Sequence, residues 1–474
     1  MNDVRETWLA VRLPHLALDL HARGADTQHE LPLAVSDGDA RRPRIRDCNP
    51  AAARLGVRPG LPLSAALALA GGLQVASPDA AAEREALERL AAWCYQFSSR
   101  VSLLPDRASL LLEAGASQRL FGAPRELARG LGDALLRLGF HADTGTAPTP
   151  EAACIAAQHG MHFDSLPEFR RQLQALPLEQ LCLDASQQAA LAGMGFRKLA
   201  DLLRLPRKAL ARRLGPALLD YLDRLCGTRP DPRSAWQPPE VFASRLDLPS
   251  ESASHQALLF PLRRLVAELC GVLRAADRGI QELEVQLRLR HGEEQFRIGL
   301  QQPCRDEARF MLLLRERLER LRLPGPVRQL RLVAGAFLCF AADQDELFPG
   351  GDAPDSPALL LERLQARLGR QAVNGLNGVA DHRPEHSWTL RAPQAPSASH
   401  AMAHRPAWLL GQPQRCRIED YRVLAGPERI ETGWWDGHDC RRDYFVVRDA
   451  AGGTLWAYRE YKPRPGWYLH GVFG

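Results

Sequence analysis

From Leu191 to Gly215 the chain reads LAGMGFRKLADLLRLPRKALARRLG. Seven cations, Arg197, Lys198, Arg204, Arg207, Lys208, Arg212 and Arg213, stand there against one acid, Asp201. Cations at this density suit one chemistry above all, the neutralisation of nucleic-acid phosphates with release of their counterions. Gly193 and Gly195 predict a tight turn between two helices, where backbone N–H groups can approach a phosphate oxygen. A solvated amphipathic helix pair is the plainer reading of the same residues. A second stretch, DQDELFPGGDAPDSP from Asp343 to Pro357, holds five acids and no base. Its Gly and Pro content predicts a solvated loop, yet Leu347 and Phe348 sit in its middle. Those two side chains can enter an apolar groove on a partner while Gln344 hydrogen-bonds at the rim. Their burial contributes on the order of 3 to 6 kcal/mol before ordering costs, which suits an exchangeable tether.

Other chemistries are excluded by spacing. No two of the ten cysteines lie closer than the 24 residues between Cys416 and Cys440, so neither a CxxC zinc pair nor a redox pair can be drawn. His438, Cys440 and His470 match no zinc pattern, and no GK[ST] phosphate loop occurs. The sequence therefore calls for no metal and no cofactor. The 61 basic residues include only three lysines, Lys198, Lys208 and Lys462, and the net charge of +5 permits nucleic-acid binding without demanding it. A chain of 474 residues, 45% hydrophobic and 25% charged, predicts three or four soluble globular domains. Neither a membrane-spanning stretch nor a signal core is legible, so the expectation is a cytoplasmic protein without membrane contact.

The elements that must carry these residues follow from periodicity. WLAVRL predicts a buried strand, residues 81–97 a helix, 108–115 a strand, Leu127, Leu131, Leu135 and Leu138 a helix, and 140–147 a third strand. Residues 166–226 read as wholly helical. Past the Pro-rich connector 229–240, Leu283, Val285, Leu287 and Leu289 alternate with Glu284, Gln286, Arg288 and Arg290, the mark of a half-buried strand. Strands near 241–247, 295–300 and 327–334, with helices at 255–274 and 305–321, complete a β-α-β-β-α-β order. Residues 391–406 read as a flexible Pro/Ala/Ser linker, and the aromatic residues beyond it as the core of a small β-rich domain.

The order of blocks resembles the Y-family translesion DNA polymerases. DCNPAAARLGVRPGLPLSAALALAGGLQVASPD (47–79) is similar to that family's fingers, with Asn49, Gly56, Val57, Gly60 and Pro62 in the corresponding places. LLLEAG and TGTAPTPEAACIAA are similar to its later palm motifs. The resemblance implies an α+β right hand: palm and fingers (1–165), a helical thumb with a helix-hairpin-helix-like element (166–235), a ferredoxin-like little finger (236–340) that lies along DNA with Arg288 and Arg290 as candidate contacts, a clamp-binding linker (341–358) and a C-terminal partner-binding region (359–474). Such polymerases hold two magnesium ions on carboxylates at the ends of two palm strands. Here Arg12, Ala108 and Ser109 occupy those places, and Ala17, Pro50, Ala53, Pro150 and Cys154 replace the family's nucleotide-holding groups. A cation at a buried metal site without its partner costs several kcal/mol, so the expectation is a polymerase-like body without catalysis. One rival is an active polymerase whose metal ligands have moved to Asp19, Asp106 or Glu113; another is a DNA-binding module unrelated to replication.

A stripped body with a C-terminal extension is similar to the ImuB family, the non-catalytic Y-family relatives from the bacterial ImuA-ImuB mutagenesis cassette. DHRPE (381–385), RPAWLL (405–410), GPERIETGWWDGHDCRRDYFVV (426–447) and WYLHGVFG (467–474) resemble that family's C-terminal motifs. QDELF (344–348) resembles the pentapeptide by which bacterial polymerases grip the sliding clamp, the beta subunit of DNA polymerase III. The resemblance implies four partners: primed or damaged DNA, the clamp, an ImuA-type RecA-like protein and an error-prone second-type DnaE polymerase subunit. It also implies association with the nucleoid during DNA damage.

Overall fold

The computed structural model describes residues 6–24, 31–36, 42–163, 166–183, 185–340, 357–393, 405–406 and 408–473. The pentapeptide 344–348 and most of the linker near 391–406 lie outside them. The described chain divides into two units, Met1–Arg367 and Leu368–Gly474.

At the centre of the first unit lies an antiparallel sheet in the order Val101–Leu104, Ser109–Glu113, Trp8–Arg12, Asp143–Ala147. Alternation along a strand sends successive side chains to opposite faces, and here each face meets a different core. Leu9 and Val11 join Leu110 and Leu112 under the helices Ala80–Cys94, Pro124–Arg137 and His255–Ala276. Trp8 and Ala10 join Leu111 under the helix Pro150–Gln158 and the helical block beyond it. A Cβ at Gly145 would overlap the backbone of Ala156 and Ala157, so Pro150–Gln158 lies directly on the sheet.

The fingers-like part is a small sheet in which Leu33–Ser36 pairs with Ile45–Cys48 and Gln74–Ala76. Asn49 holds it to the following helix: its side chain accepts from Leu33 N at 3.0 Å and Ala52 N at 2.9 Å, and donates to Leu31 O at 2.8 Å. This is an N-cap that also ties a strand, which gives the motif asparagine a structural task.

The helical block holds, among the described residues, Leu166–Ala175, Ala185–Gly193, Leu199–Leu203, Arg207–Leu214 and Pro216–Cys226. Next comes the expected β-α-β-β-α-β module, with strands Ala243–Ser252, Arg278–Leu289, Glu293–Cys304 and Val327–Ala334. Numbered along the chain, its strands lie in the order 1-4-2-3, each neighbouring pair antiparallel. Leu283, Val285, Leu287 and Leu289 are buried, as their alternation predicts. The helix Pro357–Leu368, which the sequence reading places largely in the C-terminal region, packs on this module. Buried Glu362 accepts from Arg309 at 2.6 and 2.7 Å and from Gln301 N at 2.7 Å.

The second unit is β-rich. Its five-stranded antiparallel sheet runs Trp408–Arg415, Gly466–Val472, Thr454–Lys462, Cys440–Arg448, Arg422–Thr432, beside a hairpin of Gly375–Gly378 and Trp388–Arg391. Tyr444 stacks on Trp456 at 4.0 Å and its hydroxyl meets His470 Nδ1 at 2.9 Å. Aromatic area thus supplies the core of a domain too short to fill one with aliphatic side chains.

Candidate nucleic-acid interface

Gly195 has φ 80°, a left-handed conformation open to glycine at no steric cost. It turns the chain between Ala185–Gly193 and Leu199–Leu203, and Gly193 is the last helical residue rather than part of the turn. The turn differs from the expectation in a second way. Asp201 accepts from Arg197 N at 3.2 Å and Lys198 N at 3.0 Å, so the two amides that follow the turn already cap the helix. These bonds hold the Asp201 carboxyl below the usual carboxylate range. The cations divide as well. Arg207 forms a bidentate pair with Asp223, one bond of 2.8 Å, whereas Arg197, Lys198, Arg204, Lys208, Arg212 and Arg213 are exposed and make no salt bridge among the described residues.

A second basic surface lies on the outer face of the β-α-β-β-α-β sheet. An open cleft of about 780 Å³ is lined by Arg245, Arg288, Arg290, Arg328 and Arg331 together with two acids, Glu85 and Glu293. Arg331 stands directly across from Arg245, and like charges placed so destabilise a sheet until an anion comes between them. Arg245 lies 3.7 Å from Glu85, Arg290 3.3 Å from Glu251, and Arg331 donates to Gln286 at 3.2 Å. Arg288 and Arg328 make no salt bridge among the described residues. Sequence reasoning named Arg288 and Arg290 and missed the other three. The signal was present: Arg245 alternates with buried Ser244 and Leu246, and Arg331 with buried Leu330 and Leu332.

Arg12, Ala108 and Ser109, which the sequence resemblance sets at the metal-ligand places, do come together. Arg12 ends its strand directly opposite Ser109 on one side and Asp143 on the other, and Ala108, at φ 44°, closes the turn into Ser109. The expected buried, unpaired cation is corrected by the geometry. Arg12 Nη1 meets Asp143 Oδ2 at 3.2 Å and the side chain is 37% exposed, so no large desolvation penalty applies. What opposes a divalent ion is the donor set. Asp143 is paired with Arg12, Ser109 Oγ donates to Arg107 O at 2.7 Å, and Arg12 would repel the ion. The rival ligands do not converge either. Asp19 is buried and accepts from His141 N at 2.8 Å, Glu113 accepts from Gly115 N at 2.8 Å at the far end of its strand, and Asp106 lies exposed in a turn. Among the described residues no three His, Cys, Asp or Glu are placed to hold a metal.

Glu151, beside this position, is a cross-link the sequence reading did not foresee. It accepts from Arg107 at 2.9 Å and Arg233 at 2.8 Å. Burial alone would raise its pKa, but the two guanidinium groups hold it below the usual range. In the second unit, Arg383 of DHRPE is buried between Asp381 at 2.8 Å and Asp436 at 2.6 Å. Its hydrogen bond holds the Asp436 carboxyl down to about 2. The pair anchors the loop on which Trp434 and Trp435 stand 78% and 61% exposed. His438 is exposed on that loop, while Cys440 and His470 are buried.

The profile of the impB/mucB/samB (IMS) family matches residues 23–158. Over 459 residues the chain is 28% identical to Protein ImuB of Caulobacter vibrioides, covering 89% of this chain and 100% of that protein. It is also 28% identical over 318 residues to DNA polymerase IV of Aeromonas hydrophila, covering 65% of this chain and 89% of that one. Among solved structures, DinB from Sulfolobus solfataricus matches 71% of this chain and all of its own, at 16% identity and a TM-score of 0.39. No helix among the described residues is long and apolar enough to cross a membrane.

Proposed function

We propose that this chain, ImuB-like over 89% of its length and built on an IMS domain, is a non-catalytic Y-family polymerase-like scaffold for DNA damage tolerance and induced mutagenesis. What carries the reading is that Arg12, Ala108 and Ser109, the residues that the resemblance sets where such polymerases hold metal-binding carboxylates, meet at one end of the central sheet and bring no carboxylate of their own. In-line nucleotidyl transfer needs hard oxygen ligands to position metal and phosphate, and the Arg12–Asp143 pair offers none to spare.

In this reading the body binds primed or damaged DNA through the exposed thumb cations and the arginines of the sheet cleft, contacts that position a backbone without reading its sequence. Gln344, Leu347 and Phe348 bind the sliding clamp. The C-terminal unit recruits an ImuA-type RecA-like protein and an error-prone second-type DnaE subunit, which performs the synthesis at the damaged nucleoid. Exposed Trp434 and Trp435 have the character of interface anchors there. The reading is tested by offering primed template, nucleotides and magnesium to the purified protein. Binding of the template without incorporation is expected; magnesium-dependent incorporation abolished by changing Asp19, Asp106 or Glu113 would overturn it.

A further inference from the structure

We infer that the β-α-β-β-α-β module is fused to the central sheet as one rigid body and is not carried as a separately moving domain on the connector 229–240. Whatever the module binds, its basic cleft then keeps a fixed place relative to the central sheet.

The fusion rests on the helix His255–Ala276. An amphipathic helix buries one stripe, but this one is buried over most of its circumference, Glu268 and Gly271 included. One side lies on the module's own sheet and the other on the helix Ala80–Cys94, so that Val11 and Leu110 of the central sheet share a single core with Leu265 and Leu287. Two glycines set the approach. A Cβ at Gly271 would overlap the Trp93 indole, and one at Gly24 would overlap the carbonyl oxygen of Asp247 in the module's first strand.

Polar groups choose one seating of that seam. Arg23, at the end of the helix Leu16–Ala22, forms an ion pair with Glu268 in which the side chains are 1% and 3% exposed. Ser244 Oγ donates to the same carboxylate at 2.6 Å, and Arg264 donates to Arg23 O. Burial would raise the Glu268 pKa, yet Arg23 and Arg89 hold it below the usual range. A buried carboxylate tolerates few positions, because losing its partner leaves a charge without solvent. The connector joins the same seam, Trp236 N donating to Val101 O at 2.8 Å. Swinging the module away would put an apolar helix face and an unpaired ion pair into water together.

The test uses the full chain with a protease recognition sequence inserted between Pro239 and Glu240, both exposed. After cleavage the two fragments are expected to co-elute in gel filtration as one folded species. Separation into two folded fragments would overturn the inference. Gly271→Leu in the cut chain is expected to release the fragments, which distinguishes this seam from any other attachment; fragments that stay joined with leucine there would overturn its assignment. The cut itself needs no core substitution, so misfolding of the leucine variant leaves the first result decisive.

Discussion

Replacing Lys208, Arg212 and Arg213 together by alanine removes three exposed cations that make no salt bridge among the described residues, whereas Arg207→Ala removes one that Asp223 already neutralises. On duplex DNA each neutralised phosphate adds about 0.9 to the slope of log affinity against log salt. If each of the three meets one phosphate, the triple variant has a slope lower by about 2.7, and between 50 and 200 mM salt the wild type loses about 40-fold more affinity than the variant. Fluorescence anisotropy of a labelled primed duplex, titrated across that salt range, measures both slopes. Arg207→Ala should keep the wild-type slope, because breaking an ion pair releases no counterion from DNA. A triple variant with the wild-type slope would refute the thumb contact. An Arg207→Ala variant that loses as much slope per residue as the triple one would instead refute the claim that Asp223 keeps Arg207 from DNA.

Glu151→Ala leaves Arg107 and Arg233 without their shared carboxylate and should cost about 3 kcal/mol near neutral pH, the low end for a broken buried pair since Arg107 keeps a third of its side chain in water. Urea midpoints measure it. Because the folded-state pKa of Glu151 is depressed, its contribution is fully present above the unfolded value of about 4.3 and is lost as pH falls through the folded one. The gap between wild type and variant should therefore close in acid; a gap independent of pH would contradict the ion-pair account. Arg12→Asp places a carboxylate at the strand end beside Asp143 and should still give no magnesium-dependent incorporation, since Ala108 and Ser109 supply no further ligand. Incorporation by that variant would mean that a latent site survives.

Local periodicity made most elements legible, because WLAVR and the alternation from Leu283 to Leu289 record which faces are buried. Pairing was not legible. Arg12 finds Asp143 from 131 residues away and Arg107 finds Glu151 from 44, and no local pattern marks either. Within the helical block, counting charges could not show which residues are already partnered by the fold. Asp201 reads as one acid among seven bases, and only its fold-back onto Arg197 N and Lys198 N turns it into a cap. Arg207 looks like its neighbours until the next helix brings Asp223 beside it. The fusion of module and sheet left a trace, since HQALLFPLRRLVAELCGVLRAA is apolar on more than one side. Which neighbour covers the second side depends on Trp93 and Gly271 meeting across the fold.

The most direct test of the scaffold account joins its two binding claims in one measurement: association of the protein with primed DNA carrying a loaded sliding clamp, compared with a Gln344→Ala, Leu347→Ala, Phe348→Ala variant. The account predicts micromolar-range clamp binding that the triple variant loses while its affinity for clamp-free DNA stays unchanged. Equal binding of the clamp-loaded DNA by both proteins, or no gain from the clamp with either, would contradict it.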